Sequence, residues 1–336
     1  MNLYTPEGWL DVTKINTLDI PFVFVYGGRG IGKTYGQGKD IAETFRGKVV
    51  FLRRTATEYD IVTARELNTF NDFNRDSGHD IQFEKSKGFS LIVENGEEIG
   101  VCAALSTFSN LRGGGFDRYH PEILLYDEFI PEQHKNRIKN ECDVLLNVYE
   151  TINRNREIKG EKPLKLRCYA NSNDIRNPIF LGLGLVTMAE KMRRKGKEIY
   201  LDRERGIALI DCINSPISKR KSETALYKLS RGSEFFNMAI KNEFASGLFG
   251  SVARPLIEYR PIVSIGEICV YQHKSRNTYY VSSTIQNSVP VYAANDTQIE
   301  MFRIHYGYLA DQYYLQNIEF ESNITQLLFL TYLKIV

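Results

Sequence analysis

Several familiar signals are missing from this 336-residue chain. Its 43 Lys and Arg nearly balance 41 Asp and Glu, a formal net charge of +2. It is therefore no polycation, and any nucleic-acid surface has to be a local patch offset by acidic regions elsewhere. There is no C-x-x-C pair. Cys102, Cys142, Cys168, Cys212 and Cys269 lie far apart, with no histidine at metal-ligand spacing. They read as buried structural thiols of a reducing compartment, not as a zinc site or a disulfide frame. No apolar run reaches the roughly eighteen residues of a membrane span. The opening MNLYTPEGWLDVTK shows neither the basic n-region nor the apolar h-region of a secretory signal, so a cytosolic protein is expected. Internal repeats and low-complexity tracts are also lacking.

What is present is a chain long enough for two domains, with 43% hydrophobic residues, 20 Tyr and 19 Phe to build a core. Ile20 to Tyr26 (IPFVFVY) is continuously apolar and β-branched or aromatic, the pattern of a strand buried on both faces of a parallel sheet. Glycines follow, then a helical stretch from about Lys33 to Phe45, then a second buried strand at Val49 to Leu52 that ends in Arg53 and Arg54. This is a βαβ unit. Further strands are expected at 89–93, 99–104, 123–126 and 166–170, and a helix at 140–153 with apolar spacing at Val144, Leu145, Val148 and Ile152. The fold class is α/β, an open sheet over roughly residues 1–212. Residues 213–252, which include the basic stretch SPISKRKSETALYKLSR, read as a helical linker. From 253 to 336 the chain turns β-rich, with a hairpin near Ser275 to Asn277 and a final helix at about 322–335.

The strongest motif is Gly27-Gly28-Arg29-Gly30-Ile31-Gly32-Lys33-Thr34, a complete G-x-x-x-x-G-K-[ST] between a buried strand and a helix. A chance match in a chain this long has a probability on the order of one per cent. Glycines let backbone N–H groups wrap a phosphate, and the helix start adds its positive dipole end. Lys33 reaches the β- and γ-phosphates, and the Thr34 hydroxyl binds Mg²⁺. The site is thus expected to take ATP and Mg²⁺. Arg29 either reaches a phosphate in cis or points outward to a neighbour.

Ile123 to Tyr126 is an apolar strand ending in Asp127 and Glu128. The first acid suits the metal, directly or through water. The second can accept a proton from an attacking water, so the pattern favours hydrolysis over small-molecule phosphoryl transfer. Arg154 and Arg156, in NRNRE after the next helix, suit an arginine finger that stabilises transition-state charge, Arg154 ahead of Arg156. A basic helix end meeting the dipole is the plainer alternative. Asn173, in NSND at the tip of the strand beside the acidic one, is the candidate γ-phosphate sensor, against a simple Asx-turn. NSND also lacks the lysine of the N-K-x-D motif that reads guanine.

The combination FVFVYGGRGIGKT, VVFLRRT, ILLYDEFIPE, LLNVYETINRNRE and ANSND-x-x-NPIF resembles the φ29-type DNA-packaging ATPases, the encapsidation proteins of small podoviruses. The resemblance is dense from about Phe22 to Phe180 and thins afterwards. It implies an additional-strand, catalytic-glutamate P-loop ATPase followed by a small α+β RNase H-like domain without nuclease activity. It further implies a homo-oligomeric ring, a pentamer, acting at the portal vertex of an empty prohead in the host cytoplasm, with double-stranded DNA as the load and a packaging RNA as a further partner. On its pattern Lys33 and Thr34 fall on the phosphate loop, Asp127 on the metal acid, Glu128 on the catalytic acid and Arg154 on the trans-acting finger. The C-terminal segment 254–284 offers Glu258 and Glu267 but no cluster of acids for two metals. Ala56 stands where related proteins carry a basic residue after the double arginine, which counts against DNA contacts there.

A motor must grip the phosphate backbone without reading sequence. Lys135, Arg137 and Lys139, in the loop after the acidic strand, are the candidate grip. Lys219, Arg220, Lys221, Lys228 and Arg231 form the other basic candidate, for DNA, portal or packaging RNA. A RecA-like helicase, a metabolic P-loop kinase and a nucleotide-gated assembly protein without motor activity remain the competing readings.

Overall fold

A computed structural model describes residues 1–111, 120–131, 138–171, 175–231 and 252–335. The chain forms two compact units that interleave in sequence. One comprises Met1–Asn136, Val144–Asn173 and Met192–Phe244, the other Arg137–Asp143, Asp174–Lys191 and Ala245–Val336. The division is not the linear one expected. Residues 174–191 go with the second unit because their helices find their partners there: the Glu267 carboxylate accepts from the backbone N–H groups of Val186 (2.9 Å) and Thr187 (3.1 Å). Those two residues open the helix Val186–Arg194, so Glu267 caps its positive end.

Among the described residues the first unit has nine strands: β1 (Phe22–Gly27), β2 (Val49–Arg53), β3 (Ile81–Lys85), β4 (Ser90–Glu94), β5 (Glu97–Ala104), β6 (Ile123–Asp127), β7 (Lys165–Asn171), β8 (Ile199–Asp202) and β9 (Ile207–Asp211). Their order is β3-β4-β5-β2-β6-β7-β1-β9-β8. The six strands from β5 to β9 in that order pair in parallel, and antiparallel strands close both edges. Burial follows position. Every residue of β2, β6 and β9 is buried, whereas the edge strand β8 has none fully buried. Strands covered on both faces carry continuous apolar runs, which is why IPFVFVY and ILLYD were legible as strands. β9 (IALID) has the same character and escaped the sequence reading. So did β3 and β8, whose edge positions leave mixed sequences.

β1 lies between β7 and β9, and β7 separates β1 from β6. The carboxyl ends of neighbouring strands therefore bring the phosphate loop and the acidic pair to one rim of the sheet, where α/β sheets bind ligands. The helix after the loop runs Lys33–Lys39 and continues through a π-helical turn at Asp40–Thr44. Asp40 is buried at that junction. Its carboxylate accepts from the Thr13 hydroxyl (2.5 Å), the Asn16 amide (2.7 Å) and the Thr44 hydroxyl (3.0 Å), and burial raises its pKa. These bonds tie the N-terminal helix Val12–Asn16 to the helix behind the phosphate loop.

The second unit holds β10 (Tyr259–Ile265), β11 (Ile268–His273), β12 (Tyr279–Ser282), β13 (Val291–Tyr292) and β14 (Ile318–Phe320), in the order β13-β10-β11-β12-β14. The expected hairpin is the turn between β11 and β12, which pair antiparallel. The last helix, Asn323–Leu333, starts with a Ser322–Thr325 capping box. The helices Asp296–Tyr306 and Tyr308–Tyr314 were not anticipated. All five cysteines are free and buried, and burial pushes the Cys142 thiol up to about 12. Among the described residues no helix is long and apolar enough to cross a membrane.

Candidate functional site

A cavity of about 980 Å³ opens along the rim formed by the ends of β1, β2, β6 and β7. Its wall includes Gly30, Gly32, Lys33, Thr34, Arg53, Asp127, Glu128 and Asn171. The loop that leads from β1 to the helix Lys33–Lys39 has the backbone a phosphate cradle needs. Gly30 (φ 65°) and Gly32 (φ 98°) occupy the left-handed region, where an L side chain would be strained. Ile31 between them is fully buried and anchors the loop from below, while Arg29 and Gly30 are exposed at its crest.

Lys33 lies folded back along the loop. Its Nζ donates to the Gly28 carbonyl (2.7 Å), the Asn171 Oδ1 (3.0 Å) and the Gly27 carbonyl (3.4 Å). Burial lowers its pKa to about 8, against the opposing pull of the Asp127 and Glu128 carboxylates. Neutral oxygens therefore hold this cation where an anionic ligand would hold it more strongly.

Asp127, the last residue of β6, is buried and doubly engaged. Oδ1 accepts from the Gln37 side chain (3.1 Å), and Oδ2 pairs with the Arg53 guanidinium at 2.6 Å. Both members of the ion pair are more than nine-tenths buried. Deleting one partner of such a pair leaves an uncompensated charge and costs on the order of 3–5 kcal/mol. Arg53 stays charged: burial works against it, and the Asp127 and Glu128 carboxylates outweigh burial and raise its pKa. Its neighbour Arg54 is fully buried, so the double arginine divides into one site residue and one core residue. Ala56 opens a capped helix, Ala56–Val62, with its N–H on the Ser106 hydroxyl at 3.1 Å.

Glu128 is half-buried and has φ 58°, a conformation uncommon outside glycine. Backbone strain of this kind clusters at functional sites and costs on the order of 1–3 kcal/mol. Here it turns the chain sharply at the strand end and places consecutive acids in the same cavity wall.

Three residues join the site that motif reading passed over or left without a role: Gln37, Arg53 and Asn171. Gln37 sits one turn after Lys33 on its helix, so its reach to Asp127 follows from i, i+4 spacing. Asn171 is the first amide of NSND. The expected sensor, Asn173, lies outside the described residues, as do Lys135 and Arg137. Lys139 is described and exposed, in the second compact unit.

Arg154 is not part of the cavity wall. It is exposed just beyond the helix Glu141–Asn153, in the left-handed conformation (φ 50°), with its N–H on the Glu150 carbonyl at 2.8 Å. Arg156 is half-buried, and its guanidinium donates to the Pro121 carbonyl at 2.7 Å. The two arginines thus differ in exposure, Arg154 being exposed and Arg156 half-buried.

The basic stretch at 215–231 is helical and bonded to the phosphate loop. It forms the helices Pro216–Lys221 and Ala225–Leu229. Lys221 Nζ donates to the Arg29 carbonyl at the crest of the phosphate loop (2.9 Å), and Arg220 reaches the Glu7 carbonyl (3.5 Å). Lys228 and Arg231 face Glu223 at 3.8 and 3.7 Å. Pro216, with Ser215 as N-cap, starts the first of these helices, and its Lys221 buttresses the phosphate loop.

With this geometry in place, the match of residues 4–265 to the model of the podovirus DNA encapsidation protein (Gp16) decides the family. The chain belongs to it. Similar relatives are the DNA packaging proteins of Bacillus phages PZA and phi29, each 28% identical over 246 residues. That stretch takes up 72% of this chain and 65% of each relative, so the chain spans just under two thirds of the curated relatives it matches. Two solved structures share the fold over nearly the whole chain. The Phi-28 gp11 DNA packaging motor has a TM-score of 0.61 at 19% identity and covers 98% of this chain and 99% of its own. The bacteriophage Phi-29 packaging motor assembly has a TM-score of 0.59 at 19% identity and covers 97% of each.

Proposed function

We propose that this encapsidation-family protein is an ATPase that drives double-stranded viral DNA into preformed proheads as one subunit of a ring at the portal vertex. The observation that carries this reading is the convergence of Lys33, Asp127, Glu128 and Asn171 on one cavity at the carboxyl rim of the sheet. Because β7 stands between β1 and β6, the first unit fits the additional-strand, catalytic-glutamate class of P-loop ATPases. The second unit is read as an RNase H-like domain that no longer cuts, since Glu267 is spent on a helix cap.

The donor set suits a nucleotide with Mg²⁺. Beside Asp127, the Gln37 Oε1 and the Arg53 Nε are buried without a partner, so polar capacity is left unused around the carboxylate. The Thr34 hydroxyl and the Asp127 carboxylate, hard oxygen donors, would hold the ion, which when bound neutralises charge on the phosphates. Arg53 serves as the counter-ion of Asp127 when the site holds no nucleotide. Loop N–H groups and Lys33 bind the β- and γ-phosphates. Glu128 takes the proton of the attacking water, the terminal phosphoryl group passes to that water, and ADP leaves. Asn171 links the γ-phosphate position to Lys33. Arg154, at the surface, completes the site of an adjacent subunit.

Glu128→Gln tests this chemistry. It retains ATP binding and loses turnover by about 10²–10⁴-fold, the usual contribution of a positioned general base. Hydrolysis by the variant at the wild-type rate contradicts the assignment.

A further inference from the structure

The phosphate loop accounts for the triphosphate but not for the rest of the nucleotide. Asp127, Glu128 and Asn171 mark the γ-phosphate end of the cavity, so the base belongs elsewhere along the wall. Among the described residues that wall carries two aromatic rings, Trp9 and Tyr35. Tyr35, 41% exposed, packs its ring edge-on against Phe73, with centroids 5.3 Å apart and planes at 84°. Trp9 is the chain's only tryptophan, and it remains 45% exposed. That is unusual for a residue whose indole gains so much from burial.

Trp9 is nevertheless held firmly. Residues 4–10 close on themselves through a Tyr4–Leu10 bridge, a Thr5 N–H to Trp9 carbonyl bond (2.8 Å) and a Trp9 N–H to Thr5 hydroxyl bond (3.3 Å). The next residue, Leu10, donates its N–H to the Ile31 carbonyl inside the phosphate loop (2.9 Å). Trp9 borders Gly32: a methyl group there would touch the indole Cε3 at 3.6 Å and the Trp9 Cβ at 3.7 Å. A small N-terminal loop is thus fastened to the phosphate loop and places Trp9 in the cavity wall.

We infer that Trp9 is the base-stacking residue of the site: its indole covers one face of the purine while the loop holds the phosphates. This rests on the nucleotide reading above and adds to it the part of the ligand that the loop motif does not specify. A preorganised ring that needs no ordering on binding is an efficient contributor to affinity.

The test compares ATP with inorganic tripolyphosphate, which fills the cradle but has no base, on the full chain with Mg²⁺. With one tryptophan present, its emission reports on Trp9 alone. ATP is expected to change that emission saturably, and tripolyphosphate is expected to bind by calorimetry with the emission nearly unchanged. Trp9→Ala should weaken ATP about tenfold or more, in line with base–aromatic stacking elsewhere, and leave tripolyphosphate within about twofold. Trp9→Phe should restore most of the ATP affinity, which separates stacking from loss of the N-terminal loop. Equal weakening of both ligands by Trp9→Ala, or unaltered ATP binding in that variant, overturns the inference while the phosphate site stands. Failure of both ligands to bind the wild-type chain overturns the nucleotide reading itself.

Discussion

At the scale of single residues, the site sets the buried cations Lys33 and Arg53 against a buried carboxylate, Asp127, and a half-buried one, Glu128. Lys33 is the sensitive member because its pKa is lowered to about 8. Its charged form is disfavoured by burial in the free protein and favoured by a bound polyanion. Nucleotide affinity should therefore be highest below pH 8 and decline as the pH rises through about 8, and this inflection should vanish in Lys33→Ala, which binds weakly throughout. Folding carries the opposite sign. The unfolded lysine holds its proton up to its ordinary value near 10.4, so the unfolded state binds more protons between about 8 and that value, and stability rises across the window. Calorimetric titration of ATP from pH 6.5 to 9.5, beside denaturant unfolding at the same pH values, checks both signs. Motif spacing made Lys33, Thr34, Asp127 and Glu128 legible. It could not give Arg53 its partner, because the pairing joins β2 to β6 across the sheet and leaves no local pattern. Asn171 was missed for a different reason, since several amides share the strand tip and only the register of β7 beside β1 puts the first of them on Lys33.

At the scale of elements, continuous apolar runs revealed the buried parallel strands, and the apolar stripe at Leu145, Val148 and Ile152 revealed the helix Glu141–Asn153, where all three are buried. Elements with mixed faces stayed hidden, among them β3 and β8, and the helical reading of 213–252 did not give the contacts of the two helices at 216–229. That last pair bears on where DNA is held. Lys221 and Arg220 bond to the phosphate loop and the N-terminal loop, while Lys228 and Arg231 stay exposed beside Glu223; the proposed grip is Lys135, Arg137 and Lys139. Replacing those three with Ala should weaken DNA binding equally for unrelated sequences and flatten the salt dependence by about one unit of log–log slope per lost contact. An unchanged slope, with a reduced slope in Lys228→Ala and Arg231→Ala, would move the grip to the other segment.

At the scale of the whole molecule, the account requires neighbouring subunits. Arg154 is exposed and outside the cavity wall, and on the proposed function it completes the site of the next copy in a ring. Arg154→Ala lacks the finger and Lys33→Ala lacks the nucleotide, so each alone should be nearly inactive as an ATPase. Mixing them creates interfaces where an intact site meets an intact finger, and partial ATPase activity should return. Mixed rings that never exceed the sum of the two variants would place Arg154 in cis or outside the chemistry. The central claim is that hydrolysis at this site moves DNA into a shell, and packaging itself measures it. Empty proheads of the same virus, its DNA and the wild-type protein should convert DNA to a nuclease-protected form in the presence of ATP. The Glu128→Gln protein should bind ATP, join the prohead and protect none. Protection at the wild-type level by Glu128→Gln would contradict the account.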